Sequence, residues 1–261
     1  MKKYMVYSLV LLTSVFATSC EKVIDINVND EIGRLVMEGI ITDTTSQQEI
    51  KLSRNIAFSE VNNYPAVSGA IVIVRDDQKN EYLFQETTAG TYVAKEFTGI
   101  TGRQYTMEVG IDENKYVAQS RMPEAVVLDS IAAEKPELGD KDTRNIKVFY
   151  KDPKDQRNQY RFILFVNDRQ MKDIYAMNDD FNNGNQVSLT LRHHDVDIFA
   201  GDKIRVEMLC IDQPVYHYWY SLMQQSSGGG VTPSDPPTNI TPTALGYFSA
   251  HTASSKTIQV D

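Results

Sequence analysis

GAIVIVRDDQKNEYLFQET, residues 69–87, consists of two runs rich in Ile, Val, Tyr and Phe joined by the short polar stretch Asp-Gln-Lys-Asn. Such runs, bounded by polar turn residues, predict a β-hairpin. The same cadence extends to both sides. RLVMEGIIT (34–42) and EIKLSRNIAF (49–58) precede it and are separated by the turn DTTSQQ. AGTYVAKE (89–96), RQYTMEVG (103–110) and KYVAQSRM (115–122) follow, with turn signals at Gly90, Gly99, Gly102 and residues 112–114. Short strands at this even spacing predict a β-sandwich. Fourteen tyrosines and ten phenylalanines favour strand over helix in the same way.

Pro123 marks a boundary, after which a second β series begins with VVLDSIAAEKP. Its strands are predicted at 144–152, 159–168, 186–193 and 202–212. QPVYHYWYSLMQQ (213–225) breaks the alternation: Pro214 suits a first helical turn, and Val215, Trp219 and Leu222 recur at helical spacing. A Gly/Pro/Ser loop follows at 226–244, and LGYFSAHTASSKTIQVD returns as terminal strands. The expected fold is all-β, with two immunoglobulin-like or transthyretin-like sandwich modules, 34–123 and 124–261. A single short helix near 214–225 belongs to the second.

The N-terminus carries an address. Lys2 and Lys3 precede a mostly apolar stretch from Tyr4 to Phe16, and the small residues Ala17, Thr18 and Ser19 lead to Cys20. That order describes a secretory signal at 1–19, too short to span a bilayer, which takes about 20 apolar residues. The small residues followed by cysteine resemble a bacterial lipobox, with Ala17 where many carry leucine. The resemblance implies lipidation at Cys20 and an acidic tether over 20–33. Cys210, in a Leu-Cys-Ile run, is then a lone thiol and reads as a small buried hydrophobe. Without residues 1–19 the chain loses two of its 26 basic residues and none of its 35 acidic ones, for a net charge of −11. Such an acidic surface repels phosphate backbones and excludes nucleic acid as a partner.

Two clusters are candidates for chemistry. In RHHDVD (192–197), an extended strand would put His193, Asp195 and Asp197 on one face, a nitrogen and two carboxylates for a divalent metal. Leu189 and Leu191 share that face, so the alternative is a histidine capping a buried stripe, with the aspartates in a turn. Tyr216, Tyr218, Trp219 and Tyr220 form the densest aromatic run, suited either to gripping a sugar or peptide or to plugging the end of a sandwich. DDFNNGN (179–185) fails as a calcium loop, because Phe181 and Thr190 fall where oxygen ligands are required. No Ser-His-Asp spacing, Cys-His pair, Walker loop or zinc signature occurs, and no cofactor is implied.

The cadence of 67–119 is similar to carboxypeptidase-regulatory-like and transthyretin-like modules. CEKVIDIN, LVMEGIITD, VSGAIVIVRDD, MPEAVVLDSI, GDKIRVEMLCIDQPVYHYWYSL and PPTNITPTALGYFSA, in this order, resemble the Bacteroidota lipoproteins of domain of unknown function 4249. That resemblance implies an outer-membrane lipoprotein, non-enzymatic, acting as an accessory or ligand-binding partner of a TonB-dependent transporter. The alternatives are a surface structural or adhesive module and a metal-assisted hydrolase built on His193.

Overall fold

The computed structural model describes residues 32–57, 60–61, 63–137, 142–194, 196–226 and 234–261. Cys20, the leader before it, the tether up to residue 31, Asp195 and residues 227–233 of the long loop lie outside the described residues.

The first series forms as its alternation requires. β1 (Leu35–Thr42), β2 (Gln47–Arg54), β3 (Ile71–Asp76), β4 (Glu81–Thr88), β5 (Thr91–Lys95), β6 (Gln104–Ile111) and β7 (Asn114–Arg121) follow one another. In β1, β3 and β6 every second residue is buried, as in Met37 and Ile41, Val72 and Val74, or Tyr105, Met107 and Val109. A strand with one dry face must show this period of two. Asp76 holds the 77–80 turn, its carboxylate accepting the backbone N–H groups of Gln78 at 3.0 Å and Asn80 at 2.9 Å and pairing with Arg103.

Hydrogen bonding orders these strands β1-β2-β5-β4-β3-β6-β7. β4 pairs with β3 through Glu81–Phe84 and with β5 through Gln85–Thr88, with a register shift between Glu86 and Thr88. A bulge bends its strand and increases the twist. The sheet can therefore curl so that β1, β2, β3 and β6 all contribute to one core.

The second series comprises β8 (Leu128–Glu134), β9 (Asn145–Lys151), β10 (Gln159–Val166), two short strands β11 (Arg169–Gln170) and β12 (Tyr175–Asn178), β13 (Gln186–Leu191) and β14 (Lys203–Ile211). β13, β9 and β8 make a separate three-stranded sheet, whereas β10 and β14 belong to the large one. Ile146, Val148 and Tyr150 from the small sheet share a core with Phe162, Leu164, Val206 and Met208 from the large one. Cys210 lies here, 3 % exposed, and its sulfur accepts the Val126 N–H at 3.3 Å. Helix α1 (Gln213–Ser226) matches its sequence prediction to within one residue at each end.

The C-terminal segment departs from expectation. After β15 (Ile240–Thr241), which pairs with β7, one strand β16 runs from Leu245 to Gln259 where more than one terminal strand was expected. Its first half lies parallel to β1, from Val36↔Leu245 to Thr42↔His251. Its second half lies antiparallel to β14, from Cys210↔Thr252 to Lys203↔Gln259. The cores change between Met122 and Val126, close to Pro123, yet Ile240, Ala244, Phe248 and Ala250 enter the first core although they belong to the predicted second module. Gly33–Asp261 is accordingly one compact unit.

Two glycines let β16 into that position. Gly39 sits on the core face of β1, where a β-carbon would press on the Phe248 ring. Gly246 has φ +94°, and a β-carbon there would overlap the carbonyl oxygen of Met37. Gly201 has nearly the same φ, +93°, with open space around it. Gly246→Ala should therefore destabilise the protein by at least about 2 kcal/mol, whereas Gly201→Ala should cost about 1 kcal/mol of backbone strain alone. Urea titrations of the two variants check this, and equal losses would show that the close approach of β16 to β1 is not limiting.

Candidate functional site

Helix α1 begins at a cap that ties three elements together. Asp212 Oδ1 accepts the Val215 N–H at 3.2 Å, and the Asp212 carbonyl accepts the Tyr216 N–H at 2.9 Å. The other carboxylate oxygen accepts Ser120 Oγ–H at 2.8 Å and the Arg121 N–H at 2.9 Å, and Ser120 Oγ in turn accepts the Ala250 N–H at 2.8 Å. An acidic N-cap satisfies helix donors that would otherwise be orphaned. Here it also joins β7 and β16 to the helix. Burial pushes the Asp212 carboxyl up, against the hydrogen bonds from Arg121, Ser120 and Val215.

The helix uses its aromatic residues unequally. Val215 and Tyr216 are buried against Ala176, Leu209, Ile211 and Tyr247. Tyr218 and Trp219 are half-buried, their rings 4.9 Å and 5.2 Å from that of Tyr247, while Tyr220 is 40 % exposed. The run therefore divides into a packed residue, two wall residues and one solvent-facing residue.

Beneath those walls lies a cleft of about 160 Å³ on the outer face of the large sheet. Strand alternation builds it. Residues pointing away from the cores line it from four strands: Ile40 of β1, Arg161 and Ile163 of β10, Glu207, Leu209 and Ile211 of β14, and Tyr247, Ser249 and His251 of β16. The Arg161 guanidinium carbon stands 3.4 Å from the centre of the Trp219 ring, a close cation–π contact. Burial lowers the Arg161 pKa, opposed by Tyr247, Tyr218 and Glu38. Burial also pushes the Tyr218 phenol up to about 12. Ser249 Oγ lies 2.9 Å from His251 Nδ1. Two further clefts adjoin this one: about 220 Å³ along β1 and β2, sharing Ile40 and Tyr247, and about 300 Å³ beside Thr44 and Ser254, sharing Leu209 and His251.

The histidine cluster has a different geometry from the one its spacing predicts. β13 ends at Leu191, so His193, His194 and Asp197 do not continue an extended strand, and Asp195 lies outside the described residues. His193 Nε2 is 3.1 Å from the Arg144 carbonyl, and its imidazole is lowered chiefly by burial. His194 turns to Asp173, with Nδ1 3.0 Å from Oδ1, and Asp197 is exposed. Among the described residues no group of three or more His, Cys, Asp or Glu side chains is placed to hold a metal ion. His193 and His194 line an open depression of about 610 Å³ with Lys135, Lys147 and Arg192. Arg161, Tyr247, Ser249 and His251 had no local signal in the sequence, since only long-range strand pairing brings them together.

His251 supplies a pH dependence. Enclosed at 6 % exposure, its imidazole is held down to about 4, by burial first and by the Arg161 charge second. The unfolded chain takes up this proton near pH 6.5, so it binds more protons than the folded chain between about pH 6.5 and 4. Stability therefore falls as pH drops through that window, by about 2 kcal/mol between pH 7 and 5. His193 titrates with the same sign and Asp212 with the opposite one, so the difference between wild type and His251→Gln isolates this group. Urea midpoints at pH 7 and pH 5 should lose most of their separation in the variant. An unchanged separation would show that the imidazole is not the source.

No curated protein matches the sequence. Among solved structures, a DUF4785 family protein of Legionella pneumophila matches at TM-score 0.26 and 8 % identity, over 67 % of this chain and 52 % of that one. The Yersinia pseudotuberculosis adhesin InvE matches at TM-score 0.22 and 15 % identity, over 68 % and 57 %. A pullulanase complexed with maltotriose, from Anoxybacillus, matches at TM-score 0.23 and 13 % identity, over 67 % and 24 %. The chain thus spans about half of the first two and about a quarter of the third. Nothing is transferred from likenesses this slight. A family model, by contrast, matches residues 21–257, and the chain belongs to the family described as a domain of unknown function (DUF4249).

Proposed function

We propose that this chain is a non-enzymatic ligand-binding module of the outer membrane, lipid-anchored through Cys20 and serving as an accessory to a TonB-dependent transporter. The observation that carries the binding role is the cleft under α1. It is built on rigid strands, walled by Trp219 and Tyr247, and floored by a charged side chain in apolar surroundings. Small-molecule sites combine such apolar walls with a few fixed polar groups. The anchor is supported by Lys2, Lys3, the apolar run and Cys20. No helix among the described residues is long and apolar enough to cross a membrane.

Two measurements test the two halves of this reading. Cys20→Ser should abolish acyl labelling and move the chain from the membrane fraction to the soluble one; membrane partition equal to wild type would remove the anchor. Co-purification from detergent-solubilised outer membrane should yield a transporter in stoichiometric amount, and its absence would remove the partner.

The aromatic variants separate binding from packing. Tyr216→Ala should cost about 3 to 5 kcal/mol of stability, as a truncated core aromatic does. Tyr220→Ala should stay within about 0.5 kcal/mol of wild type. Trp219→Ala should weaken ligand binding by at least about 1 to 2 kcal/mol while the protein remains folded. Thermal melts and ligand pull-downs on the three variants check this, and binding retained in Trp219→Ala would move the site away from α1.

A further inference from the structure

The Arg161 cleft has the chemistry of a carboxylate receptor. A guanidinium carries five N–H donors in its own plane, and stacking on an aromatic face consumes none of them. Trp219 covers one face of Arg161 and the Tyr247 hydroxyl takes one of its hydrogen bonds, so the remaining edge donors are left for a ligand. Among the described residues Arg161 forms no ion pair within 4.0 Å, although Arg34, Arg75, Arg103 and Arg205 each do. The acidic residue of the wall, Glu207, is engaged by Arg205. A half-buried cation with no ion-pair partner in contact, and only the Glu38 charge acting from further off, is costly, and an entering anion offsets that cost through charge-assisted, two-pronged hydrogen bonds.

The rest of the cleft narrows the ligand. Ile40, Ile163, Leu209 and Ile211 surround the charge with hydrocarbon, which suits a short branched or straight apolar group. Glu207 in the wall and Glu38 close to Arg161 disfavour a second negative charge. At about 30 Å³ per water, a volume of about 160 Å³ is some five waters, enough for a carboxylate and a chain of three or four carbons. The two adjoining clefts give a longer molecule room to continue along the sheet.

We propose that the cleft beneath α1 is a monocarboxylate subsite, in which Arg161 binds one carboxylate in bidentate fashion and the four apolar wall residues hold the short hydrocarbon group attached to it. This rests on the binding-module reading above and gives it a ligand class. The carboxylate belongs either to a free short-chain acid or to the C-terminus of a peptide ending in an apolar residue.

Trp219 is the only tryptophan in the chain, so its fluorescence reports this site alone. The whole chain, purified in detergent, is titrated with isovalerate, with acetyl-Ala-Val as the free acid, and with the carboxamide of each. Both acids should give a saturable change, with binding at least tenfold tighter than the corresponding amides. A peptide acid that binds tighter than isovalerate assigns the site to chain ends; equal affinities assign it to free acids. Arg161→Gln should lose the acid response, and Arg161→Lys, which keeps the charge without the fork, should weaken it at least tenfold. Tyr220→Ala should leave it unchanged. If Arg161→Gln does not fold, the ratio of acid to amide affinity on wild type decides the matter.

Equal affinities for acid and amide, or no saturable response to either acid up to about 10 mM, overturn the carboxylate assignment. Either result obtained while the transporter still co-purifies leaves the accessory role standing with another ligand. Absence of the transporter from the co-purified material is what removes that role.

Discussion

The parallel ladder between β1 and the first half of β16 is the constraint on which the structure depends. Seven register pairs, from Val36↔Leu245 to Thr42↔His251, place a C-terminal strand in a sheet begun by the first strand described. The same strand then continues along β14, so one fifteen-residue element contributes to both cores. Phe248 reaches the first core only because Gly39 leaves room for its ring. Parallel pairing of distant segments is slightly weaker per residue and has no local turn to help it. Here side chains from both cores and the cap around Asp212 hold it in place.

That ladder also creates the site. With Phe248 and Ala250 inside, strand alternation obliges Tyr247, Ser249 and His251 to face out. They meet Ile40 from β1 and Arg161 from β10, and α1 roofs the assembly with Trp219. The arginine lies in a low-dielectric position because the helix covers it. Burial and the Arg161 charge keep His251 neutral at physiological pH. Structural closure and local electrostatics therefore have a common origin.

Local features were legible in the sequence and non-local ones were not. The hairpin at 69–87 was readable because two runs rich in Ile, Val, Tyr and Phe flank a short polar stretch, and Asp76 begins a tight turn. Helix α1 was readable from Pro214 and the spacing of Val215, Trp219 and Leu222. The pairing of Val36 with Leu245 was not, because about two hundred residues separate them and a parallel pair carries no turn signature. For that reason the last strand was assigned to the second module alone. The aromatic run was noticed as a cluster, yet its division into packed Tyr216, wall residues Tyr218 and Trp219, and exposed Tyr220 depends on what lies beneath the helix. Arg161 lies on the outward side of β10, and nothing in that strand marks the distant partners that surround it. The His193 reading assumed that β13 ran past Leu191, and the backbone ends the strand there.

The position of β16 has a consequence for biogenesis. A ribosome that has released β1 to β14 has produced two unfinished hydrophobic faces, with β1 and β14 each presenting an unpaired edge toward the place where β16 belongs. Neither core can be completed by neighbours in sequence, because Phe248, Ala250 and Val260 arrive last. Chains dominated by such distant contacts fold slowly and remain open to aggregation while they wait. A product truncated before Leu245 consequently lacks the strand that closes both cores and leaves the edges of β1 and β14 open to pairing with other chains.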